Sequence, residues 1–278
     1  MFEVQSAHLD KRATHGLVRR CHGDLHLRNI VMIDGVPTLF DALEFDERLA
    51  TTDVLYDVAF LIMDMLHRGL RHQANVVFNR YIYFSCSSVQ AHGFEILPLF
   101  FAIRAAIRAM VSAQAALKDQ STAKSLLCDS EDYLLEALQF LQPAEPKLIA
   151  VGGLSGTGKS TLSTKLAPEF GDVPGAFLLR SDLERKKMLG AEEFERLPPE
   201  AYNEIANRHV YERIFDKARI ALMQGQTVIL DAVFAEAEHR QRAAEIASKL
   251  KVPFCGLWLD APPDTLVERV RIRRHDAS

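Results

Sequence analysis

Gly153-Leu154-Ser155-Gly156-Thr157-Gly158-Lys159-Ser160 keeps the Gly-x4-Gly-Lys-Ser/Thr spacing of a phosphate-binding loop and follows the apolar run Leu148-Ile149-Ala150-Val151. Glycines at Gly153, Gly156 and Gly158 let backbone N–H groups turn inward on phosphate oxygens. Lys159 then reaches the outer phosphates, and the Ser160 hydroxyl can hold Mg²⁺. Ser155, Thr157 and Thr161 complete the expected nucleotide-contacting set, and a helix beginning near Lys159 adds its positive end. The apolar positions Leu162 and Leu166 carry that helix onward.

Two carboxylates follow apolar runs in the same half of the chain. Asp182 comes after Phe177-Leu178-Leu179-Arg180-Ser181, and Asp231 after Thr227-Val228-Ile229-Leu230. At the carboxyl ends of parallel strands both face the phosphate loop. Asp231 suits the Mg²⁺ shell, and Asp182 is placed as the base for an acceptor hydroxyl. Each also stands where Asp would serve as a helix N-cap.

A second acidic set lies near the N-terminus, in His22-Gly23-Asp24-Leu25-His26-Leu27-Arg28-Asn29. It runs into Ile30 to Ile33, a turn at Asp34-Gly35, and Pro37-Thr38-Leu39-Phe40-Asp41. Asp-Gly between apolar runs predicts a hairpin. One loop Asp, an Asn five residues on and a second Asp after a hairpin are the parts of a kinase catalytic loop and metal site.

These residues resemble the aminoglycoside phosphotransferase and choline kinase group, relatives of protein kinases. By that resemblance Asp24 matches the catalytic Asp, Asn29 and Asp41 the metal ligands, and Asp53 and Asp57 the acids that brace such a loop. Four helices expected after the hairpin, at about 55–66, 72–86, 95–117 and 129–141, are similar to that fold's C-terminal lobe. In the third, Arg104 and Arg108 lie one turn apart, and bracing an acidic loop or facing solvent suits them better than a phosphate. The aromatic stretch Phe78 to Phe84 reads as core. Such kinases also need a glycine-rich flap and a strand lysine; only 21 residues precede His22, and none forms that flap.

The second half resembles small P-loop kinases: polynucleotide kinase, zeta-type toxins and chloramphenicol phosphotransferase. Ser181-Asp182-Leu183-Glu184-Arg185 is similar to their S-D-x-x-R segment, which implies that Asp182 activates the acceptor hydroxyl and Arg185 grips the acceptor or its phosphate. Asp231-Ala232-Val233 matches their D-A-T segment except at Val233. Arg269, Arg271, Arg273 and Arg274 fall where that group keeps a mobile lid, and Arg273 and Arg274 are expected on the nucleotide; a solvated basic helix end is the other reading. The tandem arrangement resembles bacterial fusions of an aminoglycoside phosphotransferase-like lobe with an ATPase.

The elements that must position these groups follow from pattern. Gln142-Pro143-Ala144-Glu145-Pro146 breaks a helix and opens a linker. Beyond it strands (147–152, 176–181, 227–231, 253–259) alternate with helices (159–167, 182–189, 200–224, 236–250, 263–273), which predicts an α/β P-loop domain, a parallel sheet with helices on both faces. The expected organisation is a mostly α-helical kinase-like lobe with a β-hairpin over residues 1–142, its N-terminal lobe missing, a linker at 143–146, and a P-loop kinase-like domain over 147–278, incomplete at its C-terminus. Trp258 is expected in the core.

At 278 residues, 48% hydrophobic and 25% charged, the chain suits two ordinary domains. A net charge of −4 and a pI near 6.2 give no global basic field for nucleic acid or anionic membrane. Cys21, Cys86, Cys128 and Cys255 lie far apart, which argues against a zinc site or disulfide framework and fits a reducing cytoplasm. The apolar runs at 58–63 and 96–103 are short for a membrane span.

The expected activity is ATP- and Mg²⁺-dependent phosphoryl transfer to an unidentified hydroxyl, a polynucleotide 5′ end remaining open. The alternatives are an ATP-binding regulatory module with weak ATPase activity, or a small-molecule phosphotransferase working through the N-terminal lobe. Without a flap and lysine to fix ATP in line, the Asp24 site is expected to be silent in residues 1–278. Asp24→Asn should leave ATP turnover of the purified chain within error of the parent. A large loss in a folded variant would place the chemistry in the N-terminal half.

Overall fold

The structure, a computed structural model, describes residues 2–85, 93–118, 120–142 and 144–272. It divides into two compact units, Met1–Pro143 and Ala144–Ser278.

In the first unit, helix α1 (Phe2–Thr14) leads to strand β1 (Val18–Arg20). The hairpin of β2 (Ile30–Ile33) and β3 (Val36–Leu39) pairs antiparallel about Asp34-Gly35, where both residues have positive φ, as a two-residue hairpin turn requires. Helix α2 (Glu47–Ala50) and strand β4 (Thr51–Asp53) follow, and β4 pairs antiparallel with β1. Of that short ribbon, β1 is legible in the run Leu17 to Cys21, which reads as a short strand, whereas β4 is too brief for a periodic signal to show.

The helices expected after the hairpin correspond, among the described residues, to α3 (Val54–His67), α4 (Arg71–Ser85), α5 (Leu97–Lys118) and α6 (Ala123–Phe140). The last begins six residues before the expected 129. Phe78 is fully buried and Ile82 nearly so, whereas Phe84 faces solvent, so the aromatic stretch is core along one face only. Residues Phe94–Lys118 are long and apolar enough to cross a membrane, contrary to the short-run reading, although 56% of the most apolar stretch is buried within the protein.

One buried ion pair ties the start of this unit to its helical part. Arg12 donates from Nε and Nη2 to both Asp53 carboxylate oxygens at 2.6 and 2.7 Å, and Asp53 also accepts the Leu55 N–H at 2.8 Å as the N-cap of α3. Asp53 therefore braces α1 and α3.

The second unit is built on four parallel strands in the order β6 (Phe177–Arg180), β7 (Val228–Asp231), β5 (Leu148–Gly152), β8 (Phe254–Trp258). Helices α7 (Lys159–Leu166), α8 (Ser181–Met188), α9 (Glu204–Met223), α10 (Ala237–Leu250) and α11 (Pro263–Ile272) alternate with them. Period-two alternation sends Ile149, Val151 and Ile229 into a cluster with Leu162 and Leu166 of α7. Ala150 and Gly152 point to the opposite face, beside Arg240 of α10. The P-loop-type α/β architecture expected from the sequence is thus present, with helices on both faces.

Trp258 departs from expectation. It is 53% exposed, on strand β8, whose only described neighbour is β5. Its ring stacks on the backbone at Gly152, where an added Cβ would come within 2.8 Å of it.

Helix α8 is anchored by Glu184, which is 4% exposed and accepts from Arg213 Nε at 2.8 Å and Lys217 Nζ at 2.6 Å, both on α9. Burial alone would raise its pKa, but the two cations outweigh burial and hold it below the ordinary carboxylate value. A depressed pKa contributes stability above the unfolded value, lost as pH falls through the folded one. Glu184→Ala should cost about 2 kcal/mol by removing the acceptor of two charge-assisted hydrogen bonds, from Arg213 and the half-buried Lys217. Urea unfolding followed by Trp258 fluorescence checks this within the second unit, and Glu184→Gln should flatten the acid limb of its stability profile.

Candidate active site

The loop between β5 and α7 has the backbone its glycines predict. Gly153, Gly156 and Gly158 have φ of 141°, 91° and 92°, a region that L side chains rarely enter. Close packing enforces two of them: an added Cβ would lie 2.4 Å from the Leu259 carbonyl oxygen at Gly153 and 3.0 Å from that of Leu266 at Gly156. Gly158 is the N-cap of α7 and has open space around it. The loop is tied down by Gly153 N–H donating to the Val233 carbonyl at 3.1 Å and by Thr157 Oγ1 donating to the Leu154 carbonyl at 2.8 Å. Lys159 Nζ lies 2.9 Å from that same carbonyl, folded across the loop.

Parallel register carries the carboxylates to this loop. Val151, Asp231 and Arg180 are partners across β5, β7 and β6, so the strand ends line up before the chain turns into the loop and into α8. A cleft of about 390 Å³ opens there, and Lys159, Ser160, Asp182, Arg185 and Asp231 all line it, as does Ser155. Asp231 is 4% exposed. Burial pushes its carboxyl pKa up, against the Ser160 hydrogen bond and the nearby Arg180 and Lys159 cations, while Asp182 adds to the rise.

Neither carboxylate caps a helix. The N-cap of α8 is Arg180 and that of α10 is Glu236, and neither makes a side-chain cap bond. Asp182 Oδ2 and Asp231 Oδ2 are instead buried with no hydrogen-bond partner. The nearest cations are Lys186 Nζ at 3.6 Å from the first and Arg180 Nε at 3.7 Å from the second. Buried carboxylate oxygens left unpaired are costly, and a hydroxyl donor or a cation arriving in the cleft relieves that cost.

Arg185 lines the cleft but is engaged within the protein. It donates to the Ala201 carbonyl at 2.8 Å and Asn207 Oδ1 at 2.7 Å, with its guanidinium 4.8 Å from the Tyr202 ring centroid. Burial lowers its pKa. Arg269 reaches the loop from α11, 3.2 Å from the Gly156 carbonyl. Arg273 and Arg274 lie outside the described residues.

Several lining residues escaped the sequence reading: Arg180, Tyr202, Asn207, Tyr211, Glu236 and His239. Tyr211 OH accepts the Phe234 N–H at 2.9 Å while its ring stacks on His239 at 3.6 Å. The spacing of Asn207 and Tyr211, one helical turn apart, was the available signal for the α9 wall.

In the first unit, Asn29 Nδ2 donates to the Asp24 carbonyl at 2.9 Å and to Asp24 Oδ2 at 3.1 Å, so these two are brought together. Asp41 is exposed, with φ of 60°. The loop at 22–29 is held by acids of α3: Asp57 accepts the His22 and Gly23 N–H groups at 3.1 and 2.9 Å, and Asp64 the Leu27 N–H at 2.9 Å. Arg104 is buried against the Tyr56 and Phe60 rings and donates to the Gly23 carbonyl at 3.3 Å, a bracing position. Among the described residues no cluster of three or more His, Cys, Asp or Glu is placed to hold a metal ion.

Residues 148–278 match the family described as AAA domain. Uncharacterized proteins of Mycobacterium bovis and Mycobacterium tuberculosis are each 29% identical over 266 residues, 94% of this chain. The chain spans about half the length of these curated relatives, 51%. Among solved structures, the Mycobacterium tuberculosis APS kinase CysC in complex with AMPPNP and APS aligns with a TM-score of 0.36 and 21% identity, covering 46% of this chain and 69% of that one. A cysteine-to-alanine variant of the same kinase aligns with a TM-score of 0.35 and 19% identity, covering 47% and 96%.

Asp182→Asn should leave ATP binding intact and shift stability by no more than about 1 kcal/mol, the worth of a charge in a first helical turn. Phosphoryl transfer should fall by roughly 10² to 10⁴ if the carboxylate takes the acceptor proton. Parallel calorimetric binding, thermal melts and label-transfer rates separate these effects.

Proposed function

We propose that the second unit is an ATP-dependent phosphotransferase that moves the γ-phosphoryl group to a hydroxyl of a separate acceptor. The observation that carries this reading is the pair of buried, unpartnered carboxylate oxygens on Asp182 and Asp231 in the cleft that Lys159 and Ser160 also line. A loop that only senses nucleotide has no need of two carboxylates beside its lysine that each keep a buried oxygen unpartnered.

The loop's N–H groups and the start of α7 receive the phosphates, with Lys159 swinging from the Leu154 carbonyl to the outer ones. Ser160 and Asp231, already hydrogen-bonded to each other, fit Mg²⁺ held largely by phosphate and water oxygens, where it neutralises charge on the nucleotide. Asp182 Oδ2 has no internal hydrogen-bond donor, so it accepts the hydroxyl proton as the acceptor oxygen attacks the γ-phosphorus and the bond from that phosphorus to the β,γ-bridging oxygen breaks, releasing ADP. Arg269, beside the loop at Gly156, adds positive charge on the side of α11.

Lys159→Ala should weaken ATP binding and abolish turnover, because the cleft loses the cation aimed at the outer phosphates. An assay with γ-labelled ATP and a panel of nucleosides, sugars, aminoglycosides and oligonucleotide 5′ ends tests both points. Label moving to one acceptor supports the proposal, and unchanged binding and turnover in a folded Lys159→Ala variant contradict it.

A further inference from the structure

Two guanidinium groups line the cleft, and they differ in what they have left to give. Arg185 spends its terminal nitrogens on Ala201 and Asn207 and thereby fixes the segment leading into α9. The Arg180 side chain makes no hydrogen bond among the described residues: its Nε is buried and unpartnered, and the anion it faces, Asp231 Oδ2, stands at 3.7 Å, beyond hydrogen-bond reach and likewise unpartnered. A guanidinium offers five N–H donors in a planar fork matched to two oxygens of an oxyanion. Its side chain is 19% exposed, so Nε is withdrawn from water without being paired while the terminal nitrogens are left to face the cleft.

Position identifies which anion it would meet. Arg180 is in register with Asp231, and Asp231 with Val151 at the entry to the phosphate loop. Adjacent strands lie about 4.8 Å apart, so Arg180 starts roughly 10 Å across the sheet from the loop strand, with Asp231 between. Phosphates cradled by the loop sit on the near side of that carboxylate. An oxyanion at Arg180 sits on the far side, where Asp182 awaits a hydroxyl.

We propose that Arg180, rather than Arg185, is the anion receptor of the acceptor half of the cleft, and that the acceptor is a hydroxyl compound bearing its own phosphate-type oxyanion. The assignment of that anion to an acceptor rests on the phosphotransferase reading above; the anion site itself does not. Asp231 keeps the guanidinium charged and oriented without occupying its donors, and Arg185 positions the α9 wall that closes the same space.

The test is calorimetric titration of inorganic phosphate into residues 1–278 saturated with Mg²⁺ and AMPPNP, which fills the loop and leaves only the far side open. Parent protein should bind phosphate in the millimolar range. Arg180→Gln should weaken that binding at least tenfold, Arg180→Lys less, and both should bind Mg-AMPPNP within about threefold of the parent. Phosphate affinity equal in Arg180→Gln and parent overturns the proposal, as does a parent that binds no phosphate. A tenfold loss of Mg-AMPPNP affinity in Arg180→Gln also overturns it, by showing that Arg180 serves the nucleotide. If the parent fails to bind Mg-AMPPNP, the loop reading fails separately; phosphate titration of nucleotide-free protein then decides for Arg180 by the same tenfold criterion.

Discussion

The second unit depends on one constraint: parallel register among β6, β7 and β5. Because Arg180, Asp231 and Val151 are partners, three strands end on one line. Whatever follows each strand, the helix carrying Asp182, the carboxylate Asp231 itself, or the glycine loop, is delivered to the same edge. A one-residue slip of β7 would turn Asp231 to the opposite face. Full burial of Leu148, Val151 and Val228 to Leu230 makes that slip costly. The core therefore sets the site geometry, and the loop's positive-φ glycines set only how its N–H groups point.

The two units use acids in contrasting ways. Asp57 spends its oxygens on backbone N–H groups, Asp64 on the Leu27 N–H and Arg68, and Asp53 on Arg12 and the Leu55 N–H, so these carboxylates hold structure. Asp182 and Asp231 each keep a buried oxygen unpaired, a cost that the fold sustains beside a cleft. That difference, more than the count of acids in either half, directs the chemical reading to the second unit.

Much of this was legible in the sequence because the signals were local. Strand and helix alternation after Pro146, the Asp34-Gly35 hairpin and the loop spacing each depend on residues close together in the chain. What escaped was long-range. Trp258 read as core by residue type, yet its strand has only β5 as a described neighbour and leaves it half-exposed. The resemblance points to Arg185 as the anion binder and passes over Arg180; only the fold shows that Ala201 and Asn207 take the first, whereas the second has only a 3.7 Å ion pair with Asp231 and no side-chain hydrogen bond among the described residues. Asp64, eleven residues beyond Asp53 on the inner face of α3, had no motif to mark it as the partner of the Leu27 N–H.

In the proposed function, one cleft in the second unit holds the outer phosphates of ATP against Asp231 and Asp182. A crystal structure of the chain with Mg²⁺ and AMPPNP tests it most directly. The β- and γ-phosphates should lie within the loop at 153–160, with Lys159 Nζ released from the Leu154 carbonyl onto them and the terminal phosphorus facing Asp182. Phosphates bound elsewhere, or a nucleotide seated in the loop with its terminal phosphate directed away from both carboxylates, would contradict it.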